Sequence, residues 1–283
     1  MKHITEIKWS LAMLTLGLSL TPRAWAQHFH FNAGAPSQLQ DTPLHFQNAG
    51  DFTTSSGFAA PLTLASNGTY SGFYESGSLT FAAIGSLFPD PATPGTQVRL
   101  RFVSVAGPTG GSFGVWNVDG FNLDEVDATT LAFSLPVGTT NGTNSILLSE
   151  NNGEPGADPF GHIHGRHFSA SRPGLYTVSV QLYDASTNGA SGGPIHASSD
   201  IYPIFFQAGV TIASLAHEPN QTAVAFATRS GSTYYVEAGT DLATTKAWVA
   251  LAGPLTGNNH LQTATDTDSN ASPRFYRLRV TTP

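Results

Sequence analysis

Three of the chain's ten histidines fall within six residues: His162, His164 and His167, in the run Gly161-His162-Ile163-His164-Gly165-Arg166-His167-Phe168. On an extended strand, side chains two apart share a face. His162 and His164 therefore project together, with alpha carbons about 6.5 Å apart. That spacing lets two imidazoles converge on one ion with bonds of about 2.0–2.1 Å. His167 has the opposite parity and joins them only if Gly165 opens a bulge or turn. A second pair, His28 and His30, stands in Gln27-His28-Phe29-His30-Phe31. Its alternation predicts a strand with the phenylalanines on one face and the histidines on the other. His196 lies in the glycine-rich segment 192–200, a loop that can fold back beside the strand before it. Asp200 in that segment would be a ligand or the acceptor that fixes a histidine tautomer. The chemistry on offer is coordination of a divalent transition metal by His28, His30, His162, His164, His167 and His196. The competing reading is a set of unliganded surface or packed histidines.

The chain has no cysteine, so thiolate sites and disulfides are excluded. Imidazole, carboxylate and water remain as ligands, which favours zinc, copper, manganese or nickel over iron–sulfur chemistry. Zinc is the first choice because tetrahedral imidazole or imidazole–carboxylate sites suit it.

The elements that must hold these residues read as strands. Residues 175–183 alternate strictly: Tyr176, Val178, Val180 and Leu182 face one way, and Leu175, Thr177, Ser179 and Gln181 the other. That is the pattern of a half-buried antiparallel strand, and Pro173-Gly174 before it suits the centre of a type II turn. Further strands are predicted at 44–47, 58–64, 79–84, 98–105, 113–117, 131–135, 146–149, 161–168 and 201–207. No amphipathic helix is predicted after the N-terminus. Low charge, 29 glycines and 18 prolines fit a loop-rich all-β protein. A second unit is predicted from about residue 210, with strands at 223–228, 233–238, 247–250, 261–264 and 274–280. The expected architecture is an antiparallel β-sandwich, jelly-roll or Ig-like, over residues 27–209, then a smaller Ig- or fibronectin-like sandwich over 210–283.

The N-terminus predicts a secretory signal peptide over residues 1–26: Lys2 and Lys8, an apolar run from Leu11 to Leu20, and Ala24-Trp25-Ala26 as cleavage site. The run is too short to favour a membrane span. Cleavage would leave Gln27 first and place the protein in the periplasm, at the cell surface or outside the cell. Removing Lys2, Lys8, Arg23 and Glu6 from 12 basic and 19 acidic side chains leaves 9 and 18, a net of −9, with Lys246 the only lysine. Such a balance argues against nucleic acid or an anionic membrane surface as partner.

Other motifs carry less. Gly110-Gly111-Ser112-Phe113-Gly114 has the G-x-S-x-G form, but the next residues, Val115-Trp116-Asn117, read as strand, whereas a nucleophile elbow needs a helix. The acidic segments 119–127 and 150–158, and Asp266-Thr267-Asp268-Ser269-Asn270, lack full calcium-loop spacing and read as solvated loops or turns. His45 reads as structural, and His217 and His260 are given no role.

His162, His164, Phe168, Pro173, Gly174 and Tyr176 form H-x-H, an aromatic and P-G-x-Y. This motif resembles one in the choice-of-anchor M group and the related zinc-regulated (Zur-repressed) PEP-CTERM surface proteins of bacteria. The start from His28 to Ala35 is similar to the H-x-H start of the second of these. The chain departs from that pattern in lacking a C-terminal sorting helix. Its last unit, ending Phe275-Tyr276-Arg277-Leu278-Arg279-Val280, resembles a small β-domain common at the C-termini of secreted proteins of Verrucomicrobia-like bacteria. The resemblance implies a secreted or surface β-domain concerned with metal handling, zinc especially, working with a cell-surface or metal-transport partner. Two other functions remain open on the residues alone. One is a metal-dependent enzyme built on H-x-H plus a further histidine. The other is an adhesive or carbohydrate-binding β-protein presenting Tyr70, Phe73, Tyr74 and Trp116.

Overall fold

The computed structural model describes residues 29–117, 130–162, 167–242, 248–268 and 274–282, with the backbone alone at 117 and 162. The strands are β1 Phe29–Gly34, β2 His45–Phe46, β3 Ala59–Leu64, β4 Tyr74–Ser76, β5 Leu79–Ala83, β6 Val98–Ala106, β7 Ser112–Asn117, β8 Thr130–Pro136, β9 Ser145–Leu147, β10 Gly161–His162, β11 His167–Ala170, β12 Gly174–Asp184 and β13 Ile201–Ala208. They are followed by β14 Ile212–Glu218, β15 Gln221–Ala227, β16 Thr233–Gly239, β17 Trp248–Thr256, β18 Leu261–Asp266 and β19 Phe275–Thr281. The one α-helix among the described residues, α1 at Ala49–Phe52, is a single turn, and no described helix is long and apolar enough to cross a membrane. The protein is all-β and sandwich-like.

A four-stranded sheet in the order β10-β5-β1-β2 faces a nine-stranded sheet in the order β8-β7-β11-β4-β3-β13-β12-β6-β9. Their inner faces share one buried cluster. From the small sheet come Phe31, Phe46 and Phe81, with the Phe31 and Phe46 rings stacked 3.8 Å apart. From the large sheet come Phe168, which meets Phe81 edge to face at 5.8 Å, and Phe206, 4.8 Å from Phe113. Edge-to-face pairs such as Phe81 with Phe168 stabilise by about 0.5–1.5 kcal/mol beyond their area burial. β12 holds the centre of the large sheet. Its even-numbered residues from Tyr176 to Asp184 are buried and its odd-numbered ones half-buried. β6 alternates beside it until Val103, where a bulge opposite Ser179 and Val180 absorbs one residue.

Two pairings are parallel, β1 with β5 and β3 with β13, where an antiparallel sandwich was expected. Alternation fixes which face a strand buries but not its partner's direction. The predicted strand over 161–168 is also corrected. Its two ends belong to different sheets, β10 pairing with β5 and β11 with β4 and β7.

Residues 212–281 form two three-stranded sheets, β14-β15-β18 and β17-β16-β19. Between them lies a separate buried cluster of Val224, Phe226, Tyr234, Val236 and Ala264. His260 joins this part to the larger sandwich through a bridge to Phe58, with the two rings edge to face at 5.9 Å.

Candidate functional site

The outer face of the small sheet brings the two histidine-bearing strands together around β5. In the parallel ladder His30 pairs with Thr80 and Asn32 with Ala82; on the other side of β5, His162 pairs with Ala82. His30 and His162 thus occupy rows of the same parity, two strands and two residues apart. Strand spacings of about 4.8 Å and rises of about 3.3 Å put their alpha carbons about 12 Å apart. That lies at the long end of what two imidazoles bridge through one ion with bonds of about 2.1 Å. Thr80 and Ala82, the short side chains between them, face away from the phenylalanine core.

The local sequence explains this register. Phe29 and Phe31 turn inward and leave His30 and Asn32 half-buried on the opposite face. The edge of β1 is held by Asn48, whose Oδ1 accepts from the Asn32 amide at 3.0 Å and whose Nδ2 donates to the His30 carbonyl at 2.8 Å. Gly161 lies so close to β9 that a Cβ there would overlap the Leu148 carbonyl oxygen.

Above this face opens a cleft of about 950 Å³, lined by His30, Asn32 and Ala82 on the sheet and by Phe88, Asp158 and Phe160 from two loops. Leu87 on its rim is 95% exposed. The acidic segment 150–158 forms one wall. Asn151 closes it by donating to the Asp158 carbonyl at 2.8 Å, and Asp158 accepts from the Ser86 hydroxyl at 2.9 Å and the Phe160 amide at 3.0 Å. Asp158 therefore joins the two loops, a role that its place in a Gly- and Pro-rich segment did not signal.

The remaining candidates go elsewhere. His167 belongs to the large sheet, paired with Trp116. Its Nδ1 lies 3.0 Å from a Glu75 carboxylate oxygen, and its ring stacks on Tyr70 at 4.8 Å. Glu75 would fix the tautomer and leave Nε2 with the lone pair, but on a different sheet from His30 and His162. His196 is 1% exposed, and both its nitrogens serve the backbone. Nδ1–H donates to the Thr42 carbonyl at 2.9 Å and Nε2 accepts from the Thr93 amide at 3.0 Å. Metal binding would have to break both bonds, so His196 acts instead as a buried clasp between three loops. Replacing it with alanine leaves a buried amide and carbonyl unpartnered. We expect a loss of about 2–3 kcal/mol in urea unfolding, with zinc stoichiometry unchanged in the folded protein. Asp200 has only its backbone carbonyl in this network, accepting from Ser199 Oγ. His28 and His164 lie outside the described residues, as does the side chain of His162. Among the described residues no three histidines or carboxylates stand close enough to hold a metal ion.

His45, read as structural, sits on β2 opposite Gly34, at the far end of the small sheet. Burial, partly opposed by Asp90, holds its imidazole below the usual histidine range, so it is neutral at neutral pH. Tyr70, Phe73 and Trp116 pack against one another rather than forming an open platform. Trp116 meets Tyr70 at 4.9 Å and Phe73 at 5.9 Å, edge to face in both cases, and its Nε1 donates to Ser169 Oγ. Ser112 opens β7 and bonds Ser171 Oγ at 3.2 Å; β7 continues as strand beyond it, so the nucleophile-elbow geometry is absent. Comparison with family models, with curated proteins and with solved structures found no match.

Proposed function

We propose that this is an extracytoplasmic metal-binding protein, non-catalytic, with zinc as its metal. The ion would sit on the outer face of β10-β5-β1, held by imidazoles from His28 and His30 on one side of β5 and from His162 and His164 on the other. The observation that carries the reading is the register. One histidine of each H-x-H pair, His30 on β1 and His162 on β10, belongs to a strand flanking β5, with only Thr80 and Ala82 between them on that face. The absence of cysteine and the resemblance of both H-x-H segments to zinc-regulated surface proteins support the same reading.

Equilibrium dialysis against zinc tests it. The protein starting at Gln27 should bind zinc, and the affinity should fall at least about 100-fold in His162→Ala/His164→Ala and in His28→Ala/His30→Ala. Binding should weaken below about pH 6 as the imidazoles protonate. Parent-like zinc content in both double variants would end the proposal.

The 950 Å³ cleft beside His30 favours one further reading, a metal-dependent enzyme whose substrate enters there. Ester hydrolysis or superoxide dismutation that scales with zinc occupancy would support that reading over simple binding.

A further inference from the structure

A smaller cleft of about 270 Å³ opens where the large sandwich meets residues 212–281. It is lined by Phe29, Thr63, Ser76, Ser78, Arg229 and Asn259, among others. We propose that it binds a carboxylate-bearing sugar of monosaccharide size, a uronic acid, with Arg229 holding the carboxylate.

Three observations carry the proposal. The first is the state of Arg229. Among the described residues Arg274, Arg277 and Arg279 have carboxylate partners, whereas Arg229, like Arg99, Arg101 and Arg172, has none within ion-pair distance; of these four it is the one that lines this cleft. Its Nη1 donates to the Thr63 hydroxyl at 2.8 Å. That bond uses one of the guanidinium's five N–H donors and ties the group to a second residue of the cleft lining. The planar fork that remains matches a carboxylate two bonds at a time.

The second is preorganisation. The Arg229 amide donates to the Tyr234 hydroxyl at 2.8 Å. Its carbonyl accepts from the Ser232 amide, and Gly257 lies so close to that carbonyl that a Cβ would overlap it. The backbone under the guanidinium is therefore fixed before a ligand arrives, which lowers the ordering cost of binding.

The third is the rest of the lining. Asn259 is 8% exposed. Its carbonyl accepts from Ala59 and its Oδ1 from the Ser230 amide at 2.8 Å, so the Nδ2 donors remain for the cleft. The Ser76 hydroxyl donates to Ser78 Oγ at 2.7 Å, leaving the Ser78 hydroxyl proton available. An aromatic edge, several hydroxyl and amide donors and one fixed guanidinium fit a polyhydroxylated monoanion. One cation in a chain of net charge −7 fits a phosphate dianion poorly. The volume is near the lower end for ligand pockets, which sets the ligand at one sugar ring.

Isothermal titration of the protein starting at Gln27 with galacturonate, galactose, acetate and inorganic phosphate tests this. Galacturonate should bind at least about tenfold more tightly than any of the other three, and Arg229→Gln should weaken it at least about tenfold. Arg229 is exposed, so the variant should keep the parent's thermal midpoint; Arg229→Lys should recover only part of the loss. The proposal falls if galacturonate does not bind, or if Arg229→Gln binds it as the parent does. Acetate binding as tightly as galacturonate would remove the sugar, and phosphate binding more tightly would remove the carboxylate.

Discussion

Replacing Arg274 with alanine should destabilise the protein by about 3–5 kcal/mol, because it strands a charge that has no other counter-ion among the described residues. Asp266, at the end of β18, is 1% exposed. Arg274 reaches it with Nε at 2.6 Å and Nη2 at 3.1 Å, while the Asp268 amide and Tyr276 hydroxyl add neutral bonds at 3.0 and 3.1 Å. Burial by itself would push the Asp266 carboxyl up. The bonds from Arg274, Asp268 and Tyr276 outweigh burial and hold the carboxyl below its usual range. A native value below the unfolded one means this stabilisation is complete above the ordinary carboxylate value. It is lost as the pH falls through the lowered native one, that is, below about pH 4. The deficit of Arg274→Ala should therefore be full at pH 7 and shrink in that acid range, where a protonated Asp266 no longer needs the guanidinium. Urea unfolding followed by circular dichroism at pH 7 and pH 3.5 measures both. Arg277→Ala is the comparison: Arg277 is half-exposed and shares Glu237 with Arg279, so its loss should cost under about 1 kcal/mol. Equal effects from the two would refute the assignment.

Gly161→Ala should be as damaging, by a different route. The added methyl group meets the Leu148 carbonyl, which belongs to the backbone and cannot swing aside as a flexible side chain would. Either β10 parts from β5 or the chain after β9 shifts, at about 3 kcal/mol or more, the upper range for overpacking. The residue after Gly161 is His162, so the movement lifts it off the Ala82 row. Zinc affinity should fall at least about tenfold, even where thermal denaturation shows the variant folded. A variant with the parent's melting point and zinc affinity would show that Gly161 neither sets this register nor matters to the site.

How much of this was legible varied with what each segment buries. β12 and β6 could be read residue by residue, because one face of each packs on a core and the other does not, and period-two alternation records that contrast. β14 was missed because Leu215 and most of its neighbours are exposed, so it buries too little to leave a pattern. β4 has three residues, fewer than alternation needs. The inward Phe29 and Phe31 and the opposite placement of His30 were predicted from four residues. The site's neighbourhood was not. It depends on β1 pairing in parallel with β5, and no local propensity encodes a partner about fifty residues away. His167 shows the limit from the other side. Its parity argued against its joining His162 and His164, but nothing in the run from Gly161 to Phe168 says that its two ends serve different sheets. His196 looked like a loop histidine because its partners, Thr42 and Thr93, come from remote turns.

The placement of β1 also governs how the protein is made. It is the first described strand to leave the ribosome, yet it lies inside its sheet, with β2 on one edge and β5 on the other. β2 follows within a few residues and meets one edge early, whereas β5 and then β10 arrive only after long stretches of further synthesis. During that interval an apolar strand carries unpaired amides and carbonyls of the kind that recruit other chains. Closing those long loops is entropically slow, so a chain ending before residue 79, which lacks the β5 partner, should aggregate more readily than the full chain.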